Sequence, residues 1–466
     1  MAPPFQHLVV LMLENRSFDH MLGFLKSPTY DIEGLDGHET NPSAIQGHPS
    51  VGVTPDARTV HDLNPDPGHD FINVNVQIFG NAAGQSIGPA MQGFVQDYAL
   101  VSNEASHGAN IMKCFTEATL PVLSALAKNY AICDHWFSSV PGSTIPNRLF
   151  AHGAHSAGSL TQDTVIAPST LKTIFQVIDD PNNPDTFRIY TDGASVLMAN
   201  LYLAHHQGGF HPYSEFRSDC LRGDLPAYTF IEPSYDDDPA NGRYARSQHP
   251  DFPVDEGEGL IAEVYAALRD SPSWDSTLLL IVYDEHGGIF DHVLPPTLTP
   301  DLALPAVPPS TDPPFAFDRL GVRVPAVFVS PRVKAGTIIK QPFDHCSIVA
   351  TVRKLFCLDK TPFNWREAQA ATFDDVLNLS ASQVRTDRIQ LPNPVVSPPQ
   401  VAPAVSRVSP AVRKPTDLSV AMAQAMQYSM KTMGLTPTMR VSQIYTAQDA
   451  TNFFKQAAEL MKERTR

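Results

Sequence analysis

Cysteine is scarce in this 466-residue chain. Its five residues, Cys114, Cys133, Cys220, Cys346 and Cys357, are scattered, odd in number and without a CxxC spacing, which argues against a disulfide framework and for free thiols, mostly buried. Long apolar runs are missing too: no stretch reaches the roughly 18 residues of a membrane span. The amino terminus, MAPPFQHLVVLMLEN, lacks a basic leader and a small-residue cleavage site, so as written the chain reads as cytoplasmic. Cations are in the minority, 33 Lys and Arg against 49 Asp and Glu, and a net charge of -16 offers nothing to neutralise a row of nucleic-acid phosphates. A small phosphorylated substrate stays open, because a metal or a few local cations can make a positive site in an acidic protein.

Proline, by contrast, is plentiful: 42 prolines and 26 glycines predict long, shaped loops around a globular core. Short apolar, β-rich runs stand out at HLVVLML (7–13), YAICDHWF (130–137), AYTFIE (227–232), TLLLIVY (277–283) and VPAVFVS (324–330). Apolar residues recur at three and four in TEATLPVLSALAKN (116–129) and EGLIAEVYAALRD (258–270), as in helices. Strands without strict alternation, separated by helices, predict an α/β fold with a mostly parallel central sheet buried on both faces. After residue 390 the character changes. The Pro-rich stretch 391–415 reads as a linker or surface-lying segment, and 416–466 as a helical C-terminal extension, with helices over 417–435, capped by Gly434, and 442–466. The Met-rich stripe of the first helix is expected to pack, since Met is a flexible gap-filler.

Ligands of open parallel sheets bind outside the carboxyl ends of the strands. The run 7–13 is followed there by Glu14 and Asn15, and 277–283 by Asp284, Glu285 and His286 with Gly287 and Gly288; 130–137 leads into Ser143, Thr144, Asn147 and Arg148. One acidic pair ending a strand in solvent would be ordinary, but two such pairs beside a hydroxyl loop point to a site. Oxygen ligands suit a hard divalent cation, which would make a neighbouring hydroxyl acidic enough to attack. The two glycines are expected to let the backbone turn tightly and to leave space for a substrate.

The blocks ENRSFDH (14–20), PGSTIPNR (141–148), DEHGGIFDHV (284–293), RVPAVFVSP (323–331) and FDHCSIV (343–349) resemble, in this order, the bacterial phosphoesterase family of phosphatidylcholine-hydrolysing phospholipase C and an acid phosphatase. That family is similar to alkaline phosphatase and the sulfatases in its core fold. The resemblance spans roughly residues 5–360 and implies an alkaline phosphatase-like catalytic domain over 1–390. It also implies that Glu14, Asn15, Asp284 and Glu285 hold the metal with Thr144, and that Thr144, counted back from Pro146, is the nucleophile. Ser143 replaces a proline of the relatives and is the alternative hydroxyl. His69 in NPDPGHD and His249 in SQHPDFP resemble family histidines that would bind phosphoryl oxygens or protonate the leaving alkoxide, although either, alone, would more often be structural. His292 and His345 would buttress the site, and Asp19, His20 and Arg16 would support the metal residues from one turn beyond. Arg148 would clamp a phosphate or hold the loop through a carboxylate; Asn147 is expected near the substrate, and Asp134 is expected to brace the nucleophile loop. His205, His206 and His211 have no assigned role.

The reaction implied is metal-dependent hydrolysis of a phosphate ester through a phosphothreonine, with Ca²⁺, Mg²⁺, Mn²⁺ or Zn²⁺ as cofactor. A phospholipase C acting on phosphorylcholine-type diesters is the first reading, an acid phosphatase acting on monoesters the second, and a catalytically silent binding module on the same fold the third. A choline pocket needs aromatic or carboxylate groups. Tyr190, Tyr202, Phe210, Tyr213 and the run YDDD (235–238) are candidates, the acidic run reading first as a solvated loop. Neither tail helix has the strongly basic face of a membrane-surface binder. Relatives of this kind are often exported, which the absent leader does not support here.

Overall fold

A computed structural model describes residues 3–57, 63–162, 171–179, 186–193, 195–199, 203, 206–237, 244–250, 252–395 and 414–464. The apolar runs assemble into an eight-stranded sheet. Its strands are β1 (His7–Leu13), β2 (Ala131–Cys133), β3 (Phe187–Thr191), β4 (Phe210–Pro212), β5 (Tyr228–Glu232), β6 (Thr277–Tyr283), β7 (Ala326–Val329) and β8 (Thr337–Ile339), in the spatial order β8-β2-β7-β6-β1-β5-β3-β4. Apart from Met12, residues 8–13 of β1 and 278–282 of β6 are all Leu, Val or Ile, and both central strands are buried along almost their whole length, as a sheet covered on both faces requires. Helices Pro121–Asn129, Tyr213–Arg222 and Val254–Arg269 form one packed group, and Thr144–Gly153, Ile174–Ile178 and Cys346–Phe356 another.

Register and direction position the chemistry. β1 and β6 run parallel with His7 opposite Thr277 and Leu13 opposite Tyr283, so Glu14 and Asp284 leave the sheet at the same level. β7 runs antiparallel to both β6 and β2. Its start therefore lies at the edge where its neighbours end, which brings Arg323 to the carboxyl edge of the sheet. The run 130–137 is a strand only over Ala131–Cys133, and the helix expected over 116–129 begins at Pro121, where a proline N–H is not needed. All five cysteines are free and buried.

The C-terminal helices occupy Asp417–Thr432 and Ala447–Arg464. Met422, Met426 and Met430, spaced four apart, are buried as expected, in one cluster with Phe453 and Met461 and with Ile145, Leu149 and Tyr235 of the main body. The extension therefore shares a core cluster with the helix that begins at Thr144, and its first helix packs against the turn Val196–Ala199. The middle of the Pro-rich stretch, 396–413, lies outside the described residues, as do Tyr202, His205 and Asp238. Among the described residues no helix is long and apolar enough to cross a membrane.

Candidate active site and metal centre

Asn15 follows Glu14 with φ at 52°, a left-handed conformation that Asn tolerates better than most residues. This turn aims its backbone N–H at Asp284 Oδ1, 3.2 Å away. Glu285 N donates to the same oxygen at 2.7 Å, and Gly287 N donates to Glu285 Oε2 at 2.6 Å. Thr144 opens the helix Thr144–Gly153, and its Oγ1 donates to Asn15 Oδ1 at 3.1 Å. One turn along, the fully buried Arg148 donates from Nε to Asp284 Oδ2 at 2.9 Å, while the Tyr235 ring lies 5.2 Å from its guanidinium carbon. Of its two readings, Arg148 thus holds a carboxylate. Ser143 turns the other way and donates to Asp70 Oδ1 at 2.7 Å, so of the two adjacent hydroxyls it is Thr144 that meets the residues after β1.

The carboxylates are crowded and dry. Burial, and then the charge of Asp284, pushes Glu14 well above the ordinary carboxylate range. Burial lifts Glu285 to about 8, although His69 pulls the other way. Glu14 Oε1 and Glu285 Oε1 are buried without a hydrogen-bond partner. Oxygens left so in a protein interior are costly unless something of positive charge meets them. Oxygen donors from Glu14, Asn15, Thr144, Asp284 and Glu285 fit a hard divalent cation.

Two histidines face this group from neighbouring loops. His69 Nδ1 lies 3.0 Å from Pro67 O, and 3.6 Å from Asp66 Oδ2; His249 Nε2 lies 3.7 Å from the same Asp66 oxygen. The rings stand nearly perpendicular with centroids 6.4 Å apart. Burial alone would lower the pKa of His69, but the charges of Glu285 and Asp70 outweigh it and hold it above the ordinary value. Asp66, which joins the two imidazoles, was not singled out by the sequence; its place in the NPDPGHD block was the available signal.

The sequence model of the phosphoesterase family matches residues 5–359. The chain belongs to the phosphoesterase family. Non-specific phospholipase C6 of Arabidopsis thaliana is 40% identical over 419 residues, covering 86% of this chain and 76% of its own. Phospholipase C B of Mycobacterium tuberculosis is 28% identical over 423 residues, covering 81% and 78%. Among solved structures, an alkaline phosphatase superfamily protein from Vibrio parahaemolyticus aligns over 80% of this chain and 72% of its own, with 9% identity and a TM-score of 0.37. As a member of this family the protein is a hydrolase acting on phosphate esters.

The remaining site residues of this phosphoesterase fall into supporting positions. Asn147 bonds Val140, Gly142 and Ser143 through their backbone carbonyls and accepts from Val140 N, so it shapes the Thr144 loop from within. Trp136 Nε1 donates to His345 Nδ1 at 3.2 Å, which leaves the proton of His345 on Nε2, 2.5 Å from the Asp284 carbonyl oxygen. Arg16 donates to Gln248 O at 2.7 Å, next to His249, and contacts His20. Asp19 bonds His292 and Arg323. Asp134 bonds His135 and the backbone of Glu33, so it braces a neighbouring loop and not the nucleophile loop.

Three expectations need correction. A Cβ on Gly287 would sit 2.3 Å from Asn15 O, and one on Gly288 2.3 Å from Gly68 O. The space those glycines leave is filled by the backbone of the Asn15 and Gly68 loops. Tyr190 and Tyr213 pack around Phe216, and the Tyr190 hydroxyl is bound to Asp219, so neither ring is open as a choline wall; Phe210 packs against the C-terminal helices. The described part of the acidic run, 235–237, is not a solvated loop: Tyr235 and Asp237 are buried, Asp236 is half-buried, and Asp237 accepts from Ala245 N at 2.8 Å.

Proposed function

We propose that this phosphoesterase is a phospholipase C-like enzyme that cleaves the bond between the glycerol oxygen and phosphorus of a phospholipid through a phosphothreonine at Thr144. The observation that carries the reading is the meeting of Thr144 Oγ1 with Asn15 at an edge where Glu14 and Glu285 keep unpartnered oxygens. Glu14, Asn15, Asp284, Glu285 and Thr144 would hold a divalent cation, and their all-oxygen chemistry favours Mg²⁺, Ca²⁺ or Mn²⁺ over Zn²⁺. When bound, such an ion lowers the pKa of a neighbouring hydroxyl and offsets negative charge on phosphoryl oxygens. Thr144 is the first residue of a ten-residue helix, whose free N–H groups and dipole also favour an anion at that end.

The chain's own groups then divide the work. Thr144 Oγ1 gives its proton to solvent water and forms a bond to phosphorus, and the bond from phosphorus to the glycerol oxygen breaks. His69, whose pKa the charges of Glu285 and Asp70 raise against the effect of burial, or His249 beside it, gives that oxygen its proton. Water, giving a proton to the imidazole that protonated the leaving oxygen, attacks the phosphothreonine from the side the diacylglycerol has left, and the P–Oγ1 bond breaks, Oγ1 regaining a proton from solvent, to release the phosphorylated headgroup. Asp66 orients both imidazoles, Arg148 holds Asp284, and Ser143 with Asp70 ties the nucleophile loop to the His69 loop. The test is turnover of p-nitrophenyl phosphorylcholine and of p-nitrophenyl phosphate by wild type and Thr144→Ala. Diester turnover lost in the variant supports the reading; monoester turnover alone points to a phosphatase; and full turnover by the variant contradicts a role for Thr144.

A further inference from the structure

Gln77 is fully buried in the helix Phe71–Phe79. An amide in a protein core is unfavourable unless its hydrogen-bonding groups are met. Its Nε2 donates to Gly68 O at 2.6 Å and to Asp97 Oδ2 at 2.7 Å, and its Oε1 lies 2.8 Å from His286 Nε2. Two acceptors at one end identify that end as the nitrogen, and an amide oxygen facing His286 requires a hydrogen on Nε2. The partners come from three segments: Gly68 precedes His69, His286 follows Glu285, and Asp97 lies in the helix Phe94–Val101. His286 Nδ1 in turn lies 3.4 Å from Glu285 Oε2. Gln77 is itself held. Gly93 N donates to its backbone oxygen at 3.0 Å, and a Cβ on Gly93 would sit 1.9 Å from Val76 O, so the two helices meet backbone to backbone. Asp97 also accepts from Asn73 Nδ2 at 2.9 Å, and the Phe94 ring stands edge-on to that of His286.

We propose that Gln77 is a positioning residue for the hydrolysis, setting the His69 loop against the turn that carries Glu285. The proposal rests on the roles given to His69 and Glu285 in the phosphoester reaction and deepens them. A leaving oxygen takes its proton only if the acid stands at a fixed distance from the place where the phosphoryl group is held, and small misplacements there are costly. One amide fixes that distance here. For the two loops to part, its bonds to Gly68 and to His286 would both have to lengthen inside a buried site, where no water replaces them. Gln77 touches neither substrate nor metal residue and acts through Gly68 on one side and His286 on the other.

The test uses Gln77→Met, which keeps the length of the side chain and removes all three bonds. Calorimetric titration of the dialysed protein with Mn²⁺ is expected to give a Kd about tenfold weaker than wild type, the scale of a lost partner behind a metal ligand. In the Mn²⁺-loaded protein, kcat for phenyl phosphorylcholine should fall about tenfold further than kcat for p-nitrophenyl phosphorylcholine, because phenolate leaves poorly without a proton and p-nitrophenolate leaves without one. A packing role alone would lower the thermal midpoint and slow both esters equally. The double variant Gln77→Glu, Asp97→Asn separates the two loops: its carboxylate still accepts from His286 Nε2 and from the amide at position 97, but nothing donates to Gly68 O. It should regain the wild-type Kd and keep the ester difference. An unchanged Kd or equal losses on the two esters in Gln77→Met overturns the proposal; if that variant does not fold, equal losses in the double variant overturn it. Binding of Mn²⁺ by Glu285→Gln at the wild-type Kd overturns the metal reading of Glu285 instead. Failure of wild type to cleave either ester overturns the phospholipase reading, and the Kd of Gln77→Met still decides the role of Gln77.

Discussion

Glu14, Asp284 and Glu285 on one side, and Asp19, Asp291 and the half-buried His292 on the other, are two acidic groups at the same edge of the sheet. In the second group Arg323 donates to Asp19 Oδ1 and to both oxygens of Asp291, and His292 and the backbone of Val293 and Asp19 supply the rest. Each carboxylate oxygen there has a donor. In the first group Arg148 serves Asp284, yet one oxygen of Glu14 and one of Glu285 have none. The ligand atoms of Asp19, Asp291 and His292 lie within 4.8 Å of one another, as a metal site requires, but the guanidinium already fills the electrostatic role of a cation. Compactness of an acidic cluster therefore says less about metal binding than whether the fold has supplied its own countercharge.

That difference is broken most severely at the open group. Glu285→Gln is expected to lower turnover by about a hundredfold or more, because a ligand for the cation is lost. In the metal-free protein Glu285, whose pKa burial lifts to about 8, is largely neutral at pH 7, so the isosteric amide should leave the thermal midpoint about level. The closed group should respond in the opposite sense. Asp291→Asn strips a partner from buried Arg323 and should cost about 3–5 kcal/mol in denaturant unfolding, while the purified protein keeps its metal.

A smaller effect separates the groups by pH. Burial would lower the pKa of His292, but its bond to Asp19 and the charges of Asp19 and Asp291 raise it to about 9. A group whose folded pKa exceeds its unfolded value of about 6.5 contributes fully below that value and loses its contribution as pH rises through the folded pKa. Stability should therefore decline between pH about 6.5 and 9, and unfolding midpoints of His292→Gln should show a flatter profile there. The smallest change expected is Trp136→Phe. It removes the donor that fixes the His345 tautomer, and a loss of about 1 kcal/mol, a few-fold in kcat, would follow from a less firmly held Asp284 carbonyl. Steady-state kinetics beside the melting curve separate that loss from unfolding.

How much of this was legible before the structure follows from distance along the chain. β1 and β6 are seven-residue aliphatic runs, so their ends, Glu14 and Asp284, were readable as edge residues, and Thr144 followed from the loop after β2. β3, β4 and β8 are three to five residues long and mix polar with apolar side chains, which leaves no periodicity to read. The Met stripe showed that the C-terminal helix packs on something; its partners Ile145, Leu149 and Tyr235 lie hundreds of residues away and carry no local sign of it. Asp66 was hidden for the same reason, since the His69 and His249 loops come from separate parts of the chain, and the run YDDD (235–238) could be singled out but not placed. Arg323 could be seen in RVPAVFVSP, but its role depends on β7 running against its neighbours, which a short apolar run does not disclose.

Metal analysis of three proteins tests the central contrast most directly. After equilibrium dialysis against Mn²⁺, wild type and Asp291→Asn are predicted to retain the ion and Glu285→Gln to lose it. Retention by Glu285→Gln at the wild-type level, with loss from Asp291→Asn, would place the cation at the closed group and contradict the account.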